Sequence, residues 1–225
     1  MRMPLTRYGL PQVVVYPLLI FILMLVLFIV FRPACWLIPV EVVLFFVLVW
    51  MFSFFRDPVR IIVPDETILY SPADATITDI DEIEVEDLGK AMRIGMFLSI
   101  FNVHINRMPC TVRIEKVTYK KGKFLNAMSP EAYRANEAND TLVTRLSEPK
   151  DRLLVRQVTG AIARHIVCEA REGSKYRQGE AFGMMKFGSR AELYIPAAGD
   201  GKYEVAVKIG DPVRAGLTPL VRYLK

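Results

Sequence analysis

Three residues in this chain have side chains suited to catalysis: a serine, a histidine and an aspartate. Ser189 follows a glycine in FGMMKFGSRAELYIP, residues 182 to 196, at the predicted start of a β-strand. His104, in FNVHINRMP, is one of only 2 histidines, and imidazole can donate or accept a proton near neutral pH. Asp74, in SPADA, has a carboxylate side chain, although Pro-x-Asp is also common in turns.

The Gly188-Ser189 pair is compatible with three kinds of chemistry. A hydrolase nucleophile needs G-x-S-x-G on a strand-to-helix elbow, and the sequence has neither. A phosphate-binding loop needs a longer glycine-rich run before a helix, which is also missing from the sequence. The third is self-cleavage, in which the Ser189 hydroxyl attacks the carbonyl carbon of Gly188.

These residues lie in a region, 56 to 225, made of short alternating runs broken by Gly, Pro and Asp. The pattern predicts a mainly β domain. Because no long helical patterns alternate with the strands, we expect a compact barrel or sandwich hybrid and not a parallel α/β sheet. Residues 129 to 139 are predicted to form a loop or a short helical turn.

Two segments of this domain, EGSKYRQGE and IGDPVRAGL, resemble each other. Each has a pair of glycines, Gly173 with Gly179 and Gly210 with Gly216. The spacing predicts two hairpins whose ends need the positive φ that glycine adopts readily. Ser189 lies between the two hairpins in sequence.

The first 55 residues contain two apolar runs, from Val13 to Phe31 and from Trp36 to Phe55, interrupted only by Glu41. Each run is near the length that crosses the hydrocarbon as a helix. The two prolines of the connecting RPACWLIP predict a tight helical hairpin. A signal peptide would leave the second run unexplained. Whether the hairpin spans the bilayer or enters one leaflet stays open.

Basic residues flank this hairpin on its outer ends. Arg2 and Arg7 precede the first run, and Arg56 and Arg60 follow the second. The positive-inside bias predicts that both ends face the cytoplasm. We therefore expect an inner-membrane protein whose main domain is cytoplasmic.

The composition argues against nucleic-acid and zinc-binding classes. The net charge is +5, but no basic stripe with interleaved aromatics is found, so a nucleic-acid partner is not expected. Cys35, Cys110 and Cys168 form no CxxC motif, which fits a reducing compartment and argues against structural zinc. We predict no metal site.

Several motifs, taken in order, resemble those of the phosphatidylserine decarboxylase proenzymes in their short, membrane-anchored form. They are SPADA, FNVHINRMPC, KGKFLNA, NEAN, GAIARHIV and KFGSR. The resemblance runs from about Phe54 to the end of the chain, and the N-terminal hairpin is also typical of the family. It implies a carboxy-lyase that converts phosphatidylserine to phosphatidylethanolamine and carbon dioxide.

The resemblance also implies how the enzyme obtains its cofactor. Ser189 would attack Gly188, and the chain would divide into a β chain, 1–188, and an α chain, 189–225. Ser189 would become a covalent pyruvoyl group, which accepts electrons through a Schiff base with the substrate amine. Glycine suits position 188 because its carbonyl is uncrowded and its backbone tolerates strain. The fragments would form a heterodimer, with further oligomerisation left open.

By the same resemblance, His104 is the acid that protonates the substrate Cα or stabilises the imine, and Asp74 assists cleavage. The glycine that usually follows this aspartate is replaced by Ala75. Longer relatives have a second histidine where this chain has Arg107, so the base that activates Ser189 stays open. Arg107 could instead bind a phosphate or carboxylate.

Other basic residues lie close to these motifs. Lys186, Arg190 and Arg164 are candidates for contacting the lipid phosphate, with a solvated strand edge as the alternative. His165 is a further candidate base, although its apolar surroundings favour a packing role.

Other functions stay compatible with the sequence. A membrane-tethered, non-catalytic lipoyl or biotinyl module would use a lysine at a hairpin tip, and only Lys175 lies in one of the similar segments. A membrane serine hydrolase would use an unprocessed Ser189. The decarboxylase reading itself leaves open an ether-linked archaeal substrate, archaetidylserine.

Overall fold

A computed structural model describes residues 5–31, 36–129, 131–161, 165–186, 188–197 and 202–224. Of the residues singled out above, Arg2, Cys35 and Arg164 lie outside these ranges. The chain divides into two compact units, Met1–Val59 and Arg60–Lys225. The second unit therefore begins four residues later than the predicted boundary at residue 56.

The first unit contains two long helices, Gln12–Val30 (α1) and Leu37–Phe54 (α2). Both are apolar all round, and most of their side chains are exposed. A helix that is apolar on every face is stable in a lipid environment or in a protein core. By length and composition both helices could cross a membrane. The predicted N-terminal pair of apolar helices is confirmed.

The second unit is built mainly from β-strands, as predicted. The strands are Ile68–Tyr70 (β1), Ala75–Val85 (β2), Gly89–Leu98 (β3), Ile105–Arg107 (β4), Val112–Lys120 (β5), Ala138–Arg145 (β6), Arg152–Val158 (β7), Ile166–Cys168 (β8), Lys175–Tyr176 (β9), Ala181–Met185 (β10), Ser189–Pro196 (β11), Tyr203–Val205 (β12), Pro212–Val213 (β13) and Pro219–Tyr223 (β14). A single helical turn, Ala132–Ala135 (α3), lies in the predicted loop before β6.

The strands form three antiparallel sheets. The large sheet has the order β13-β2-β3-β11-β7-β6-β5-β9, and the two small sheets have the orders β1-β14-β12 and β4-β10-β8. Apolar residues from all three sheets enter one hydrophobic core on the inner side of the curled large sheet. Strand β10 ends in a small sheet and β11 begins in the large one, so Ser189 lies where the chain passes between sheets.

The two similar glycine-containing segments are at opposite edges of the large sheet. β9 lies between Gly173 and Gly179, and β13 lies between Gly210 and Gly216. All four glycines have positive φ, from 71° to 94°. A Cβ on Gly216 would lie 3.5 Å from the Cα of Gly179, so the two edges of the curled sheet approach each other here. The predicted positive φ values are confirmed, but the predicted hairpins are wrong, because each pair of glycines encloses one short strand that pairs with a distant strand.

Candidate active site

Ser189 is the first residue of the central strand β11, where it pairs with Leu98 of β3. Its side chain is fully buried, and no described residue forms a hydrogen bond with its Oγ. A buried hydroxyl normally has a partner, because leaving one unpaired costs free energy. An unpartnered nucleophile inside the protein therefore indicates a functional position.

Gly188, directly before this serine, has φ of +63°. An L-residue rarely adopts that backbone conformation, whereas glycine does so readily. The nearest heavy atom to a Cβ at this position would be Ile100 Cγ2, at 3.8 Å, so space alone would allow a side chain. Glycine is therefore required at position 188 by backbone conformation.

The carbonyl group of Gly188 packs against a second glycine, Gly160, which follows β7. A Cβ at Gly160 would overlap the Gly188 carbonyl oxygen and lie 3.3 Å from its carbonyl carbon. No side chain could therefore occupy position 160 without moving the Gly188 carbonyl. Gly160 is the first residue of the GAIARHIV motif, and nothing in the sequence pointed to a function for it.

His104 lies in the segment between β3 and β4 and is fully buried. Its Nδ1 is 3.0 Å from the backbone oxygen of Asn102. Because a carbonyl oxygen can only accept, Nδ1 carries the hydrogen, and Nε2 is the nitrogen that gains or loses a proton. The His104 backbone oxygen accepts a hydrogen bond from Met185 N, which ties the histidine to the strand that leads to Gly188.

Asp74 lies directly before β2, and both of its carboxylate oxygens are engaged. Each accepts a 2.7 Å hydrogen bond from the Arg60 guanidinium, and Oδ1 also accepts one from Ala215 N. Arg60 was noted in the sequence only as a flanking charge. These contacts hold the largely buried Asp74 side chain in a fixed orientation, and this favours a positioning role over proton transfer. Ala75 begins β2, so its backbone is extended.

The register of the large sheet relates this aspartate to the serine. Thr76 of β2 pairs with Phe97 of β3, and Ser189 pairs with the next residue, Leu98. Asp74 therefore lies at the same end of the sheet as Ser189, with β3 between them. Two strand spacings correspond to about 10 Å between the backbones.

The three predicted substrate-binding residues occupy different environments. Arg107, at the end of β4, donates a 3.2 Å hydrogen bond to Gly179 O. Lys186 is buried two residues before Gly188, and burial lowers the pKa of its ammonium group. Arg190 is buried on the face of β11 opposite to Ser189, because adjacent strand residues point to opposite sides.

Arg190 belongs to a network of buried charges. Its guanidinium binds Glu192 and Asp79, each at 2.6 Å, and Thr78 at 3.1 Å. This arrangement gives Arg190 a structural role and does not support the predicted contact with the lipid phosphate. Strand alternation already separates residues 189 and 190, so the sequence contained the signal that was overlooked.

The other candidates for chemistry lie at the margins of this site. His165 is exposed, and its backbone oxygen accepts a hydrogen bond from Lys186 N. Lys175 is exposed but lies within β9, paired with Arg113, and not at the hairpin tip that a carrier module needs. No group of three or more potential metal ligands occurs among the described residues.

Comparison with known proteins shows which family the chain belongs to. Residues 47–220 match the family model for phosphatidylserine decarboxylase. The chain belongs to the phosphatidylserine decarboxylase family. A phosphatidylserine decarboxylase proenzyme of Rhodopirellula baltica is 40% identical over 223 residues, which cover 98% of this chain and 89% of the relative.

Two further relatives carry the same name. The Pelagibacter ubique protein is 40% identical over 179 residues, covering 77% of this chain and 80% of the relative. The Cereibacter sphaeroides protein is 37% identical over 201 residues, covering 87% of this chain and 82% of the relative. The resemblance noted from the sequence motifs is confirmed, and membership of the phosphatidylserine decarboxylase family extends over most of the chain.

Proposed function

We propose that this chain is the proenzyme of a pyruvoyl-dependent phosphatidylserine decarboxylase that cleaves itself between Gly188 and Ser189. Membership of the family supports the substrate and the reaction. The observation that carries the cleavage site is the buried Ser189 hydroxyl, which has no hydrogen-bond partner among the described residues, next to a glycine with positive φ.

The cleavage needs no reagent other than water. Ser189 Oγ bonds to the Gly188 carbonyl carbon as the peptide C–N bond breaks, so an ester replaces the amide. Elimination then breaks the Cβ–O bond, leaving a carboxyl group on Gly188 and dehydroalanine at position 189. Water hydrolyses the dehydroalanine to a pyruvoyl group with release of ammonia. Atoms and charge balance without an oxidant.

The residues around position 189 fit a pyruvoyl group. The site is buried, and the serine is without a hydrogen bond in the described part of the chain, so its conversion breaks none. The group supplies an electrophilic carbonyl that takes up electrons as carbon dioxide leaves. His104 Nε2, fixed by the Nδ1 contact with Asn102, would deliver the proton that Cα needs afterwards.

Asp74 and Arg60 would shape the site without exchanging protons. Their ion pair joins the start of β2 to the segment around Ala215, which follows β13. The base that removes the Ser189 proton is not assigned. Lys186 is a candidate because burial lowers its pKa, which favours the neutral amine.

The enzyme would act at a membrane. A substrate with two acyl chains stays in the bilayer, and the two apolar helices provide attachment. Basic Arg7, Arg56 and Arg60 at the outer ends of the helical pair support a cytoplasmic catalytic domain at the inner membrane. The fragments would remain together as a heterodimer because residues 189–225 supply β11 to β14.

Carbon dioxide release from carboxyl-labelled phosphatidylserine tests the proposal, together with the masses of the purified chains. We expect wild type to release label and to show fragments 1–188 and 189–225, the second with a blocked, pyruvoyl-bearing N-terminus. Ser189→Ala should remain one chain and release no label. Label release by an intact wild-type chain would contradict the proposal.

A further inference from the structure

The side-chain amide of Asn106 lies in the middle of β4 and has an unused donor. The residue is fully buried, and its Oδ1 accepts a 2.8 Å hydrogen bond from Gln157 Nε2. Within the described part of the chain, its Nδ2 has no hydrogen-bond partner. Buried amide donors are rarely left in this state, so the group is a candidate for contact with a ligand.

The direction of this amide is fixed by a backbone group. Gln157 Nε2 is also 3.4 Å from the carbonyl oxygen of Val167, which can only accept a hydrogen bond. Gln157 therefore donates through Nε2 to Asn106, and the atom of Asn106 that accepts this hydrogen bond is Oδ1. The Nδ2 of Asn106 is left as the donor.

Strand geometry places this donor beside the reacting residues. His104 lies two residues before Asn106, and its backbone oxygen accepts a hydrogen bond from Met185 N of β10, the strand that pairs with β4. Gln157 pairs with Ala191, and Ser189 lies on the same face as Ala191, two residues away. Diagonal neighbours of this kind are about 7–8 Å apart. The amide pair, the histidine and the serine thus border the same interior region.

We propose that Asn106 Nδ2 donates a hydrogen bond to the carboxylate of the serine headgroup. The proposal rests on the decarboxylase function proposed above. The carboxylate is attached to the carbon that bears the reacting amine, so it must enter the buried region near positions 104 and 189. The phosphate is several bonds further away and can remain nearer the surface.

A neutral amide is also suited to a group that loses its charge during the reaction. An arginine would bind the carboxylate strongly in the ground state and lose that interaction as carbon dioxide forms, which raises the barrier. A single amide hydrogen bond orients the carboxylate with a smaller loss. The nearby Arg190 is paired with Glu192 on the opposite face and does not interfere.

Equilibrium binding to the full-length Ser189→Ala chain tests this contact, because that variant can neither cleave nor decarboxylate. The probes are glycerophosphoserine and glycerophosphoethanolamine, which share the phosphate and the amine and differ only in the carboxylate. We expect the serine probe to bind about ten-fold more tightly, as for a hydrogen bond to a charged group. Equal affinity for the two probes would overturn the proposal without further variants.

Adding Asn106→Leu to the Ser189→Ala chain should abolish that preference and leave the affinity for glycerophosphoethanolamine unchanged. The matched control is Asn139→Leu, which removes a buried amide of the same network whose Nδ2 lies 3.4 Å from Gln157 Oε1 and from Thr141 Oγ1. We expect this control to keep the preference. Loss of preference in both variants would mean that Asn106 acts only through the network, against the proposal.

The same substitution can be followed in the mature enzyme. Asn106→Leu in a chain with intact Ser189 should raise KM more than it lowers kcat, because it removes an interaction with bound substrate. If the Ser189→Ala chain prefers glycerophosphoserine but wild type releases no carbon dioxide, only the proposed function is refuted. Carbon dioxide release without any preference would refute the Asn106 contact alone.

Discussion

The two faces of strand β11 differ in how completely their polar groups are paired. On the inner face, Ser189 is buried without a hydrogen bond from any described residue. On the outer face, Arg190, Glu192 and Tyr194 are joined to one another and to neighbouring strands by short ion pairs and hydrogen bonds. The face with fewer charges carries Ser189, the proposed reactive residue. Unused hydrogen-bonding capacity, and not charge, marks the candidate site.

The outer-face network fixes the central strand next to the proposed cleavage site. Glu192 accepts hydrogen bonds from Arg190 and Tyr194, and Arg156 pairs with Asp140 while contacting the Tyr194 hydroxyl. These contacts connect β11 to β7 and β6 by side chains as well as by the backbone ladder. A rigid outer face would fix the position of the inner one.

His104→Gln should give the largest effect, on the inner face. Glutamine keeps a polar side chain but cannot carry the proton, so carbon dioxide release should fall about 10³-fold, within the range for loss of a general acid. Label release from phosphatidylserine measures this step. Fragment masses report cleavage separately, and failure of the chain to divide would show that His104 acts earlier than proposed.

Glu192→Gln is the corresponding change on the outer face. The substitution removes the buried negative charge that pairs with the neighbouring arginines. Breaking a buried ion pair in this way should lower the free energy of unfolding by about 3 kcal/mol. Denaturant unfolding of the uncleavable Ser189→Ala chain provides the measurement. The control is Glu82→Gln, whose pair with Lys90 is exposed and should contribute far less to stability. Similar losses in both variants would contradict a special role for the outer face.

Gly160→Ala tests the packing around the scissile carbonyl. The added methyl group would displace the Gly188 carbonyl from the Ser189 hydroxyl, and self-cleavage should slow about 100-fold, as for an ångström-scale misplacement. The time course of chain division on a denaturing gel measures the rate.

Gly183→Ala is the matched control for this change. Its Cβ would overlap the backbone oxygen of Val167 and lie 3.1 Å from Gln157 Nε2, a clash of the same kind that does not touch the Gly188 carbonyl. We expect it to destabilise the fold while the folded protein still divides. Equal slowing in the two variants would mean that any packing defect impairs cleavage.

Tyr194→Phe should have the smallest effect, visible in alkaline solution. Burial and the neighbouring Glu192 raise the pKa of Tyr194 above its ordinary value near 10. Above pH 10 the unfolded chain therefore releases a proton that the folded chain keeps, and stability falls as the pH rises. At pH 11 the titration of Tyr194 should lower the free energy of unfolding by about 1.4 kcal/mol.

Unfolding of the Ser189→Ala chain with and without Tyr194→Phe, at pH 8 and at pH 11, isolates that contribution. The measurement at pH 8 reports the hydrogen bonds lost with the hydroxyl. The further difference at pH 11 reports the titration, and we expect the phenylalanine variant to lose less stability between the two values. An equal loss in both proteins would contradict the raised pKa.

The sequence was informative wherever one local pattern determined the structure. Apolar runs gave the two helices, alternation gave β11, and the paired glycines gave the positive φ values at the sheet edges. The prediction that Gly188-Ser189 is the cleavage site came from the resemblance of a short motif, KFGSR, to the family. In each case neighbouring residues contain the information, because dihedral preference and side-chain periodicity are local properties.

Contacts between residues far apart in the chain could not be predicted from local sequence patterns. Arg60 pairs with Asp74 only because the chain before β1 returns to the start of β2, and Gly160 meets Gly188 only after β7 and β11 align. The Asn106 and Gln157 amides likewise come from separate sheets. These contacts depend on tertiary packing, which a single sequence does not encode in any short pattern.

The position of β11 in the middle of the large sheet has a thermodynamic consequence once the chain has divided. Residues 189–225 would then be held by noncovalent contacts alone, although they supply the central strand. Unfolding of the precursor is unimolecular, whereas loss of structure in the mature enzyme would also be a dissociation. Its melting temperature should therefore rise with protein concentration, and dilution should favour inactivation. Refolding the two pieces would require a second-order encounter that the precursor never needed.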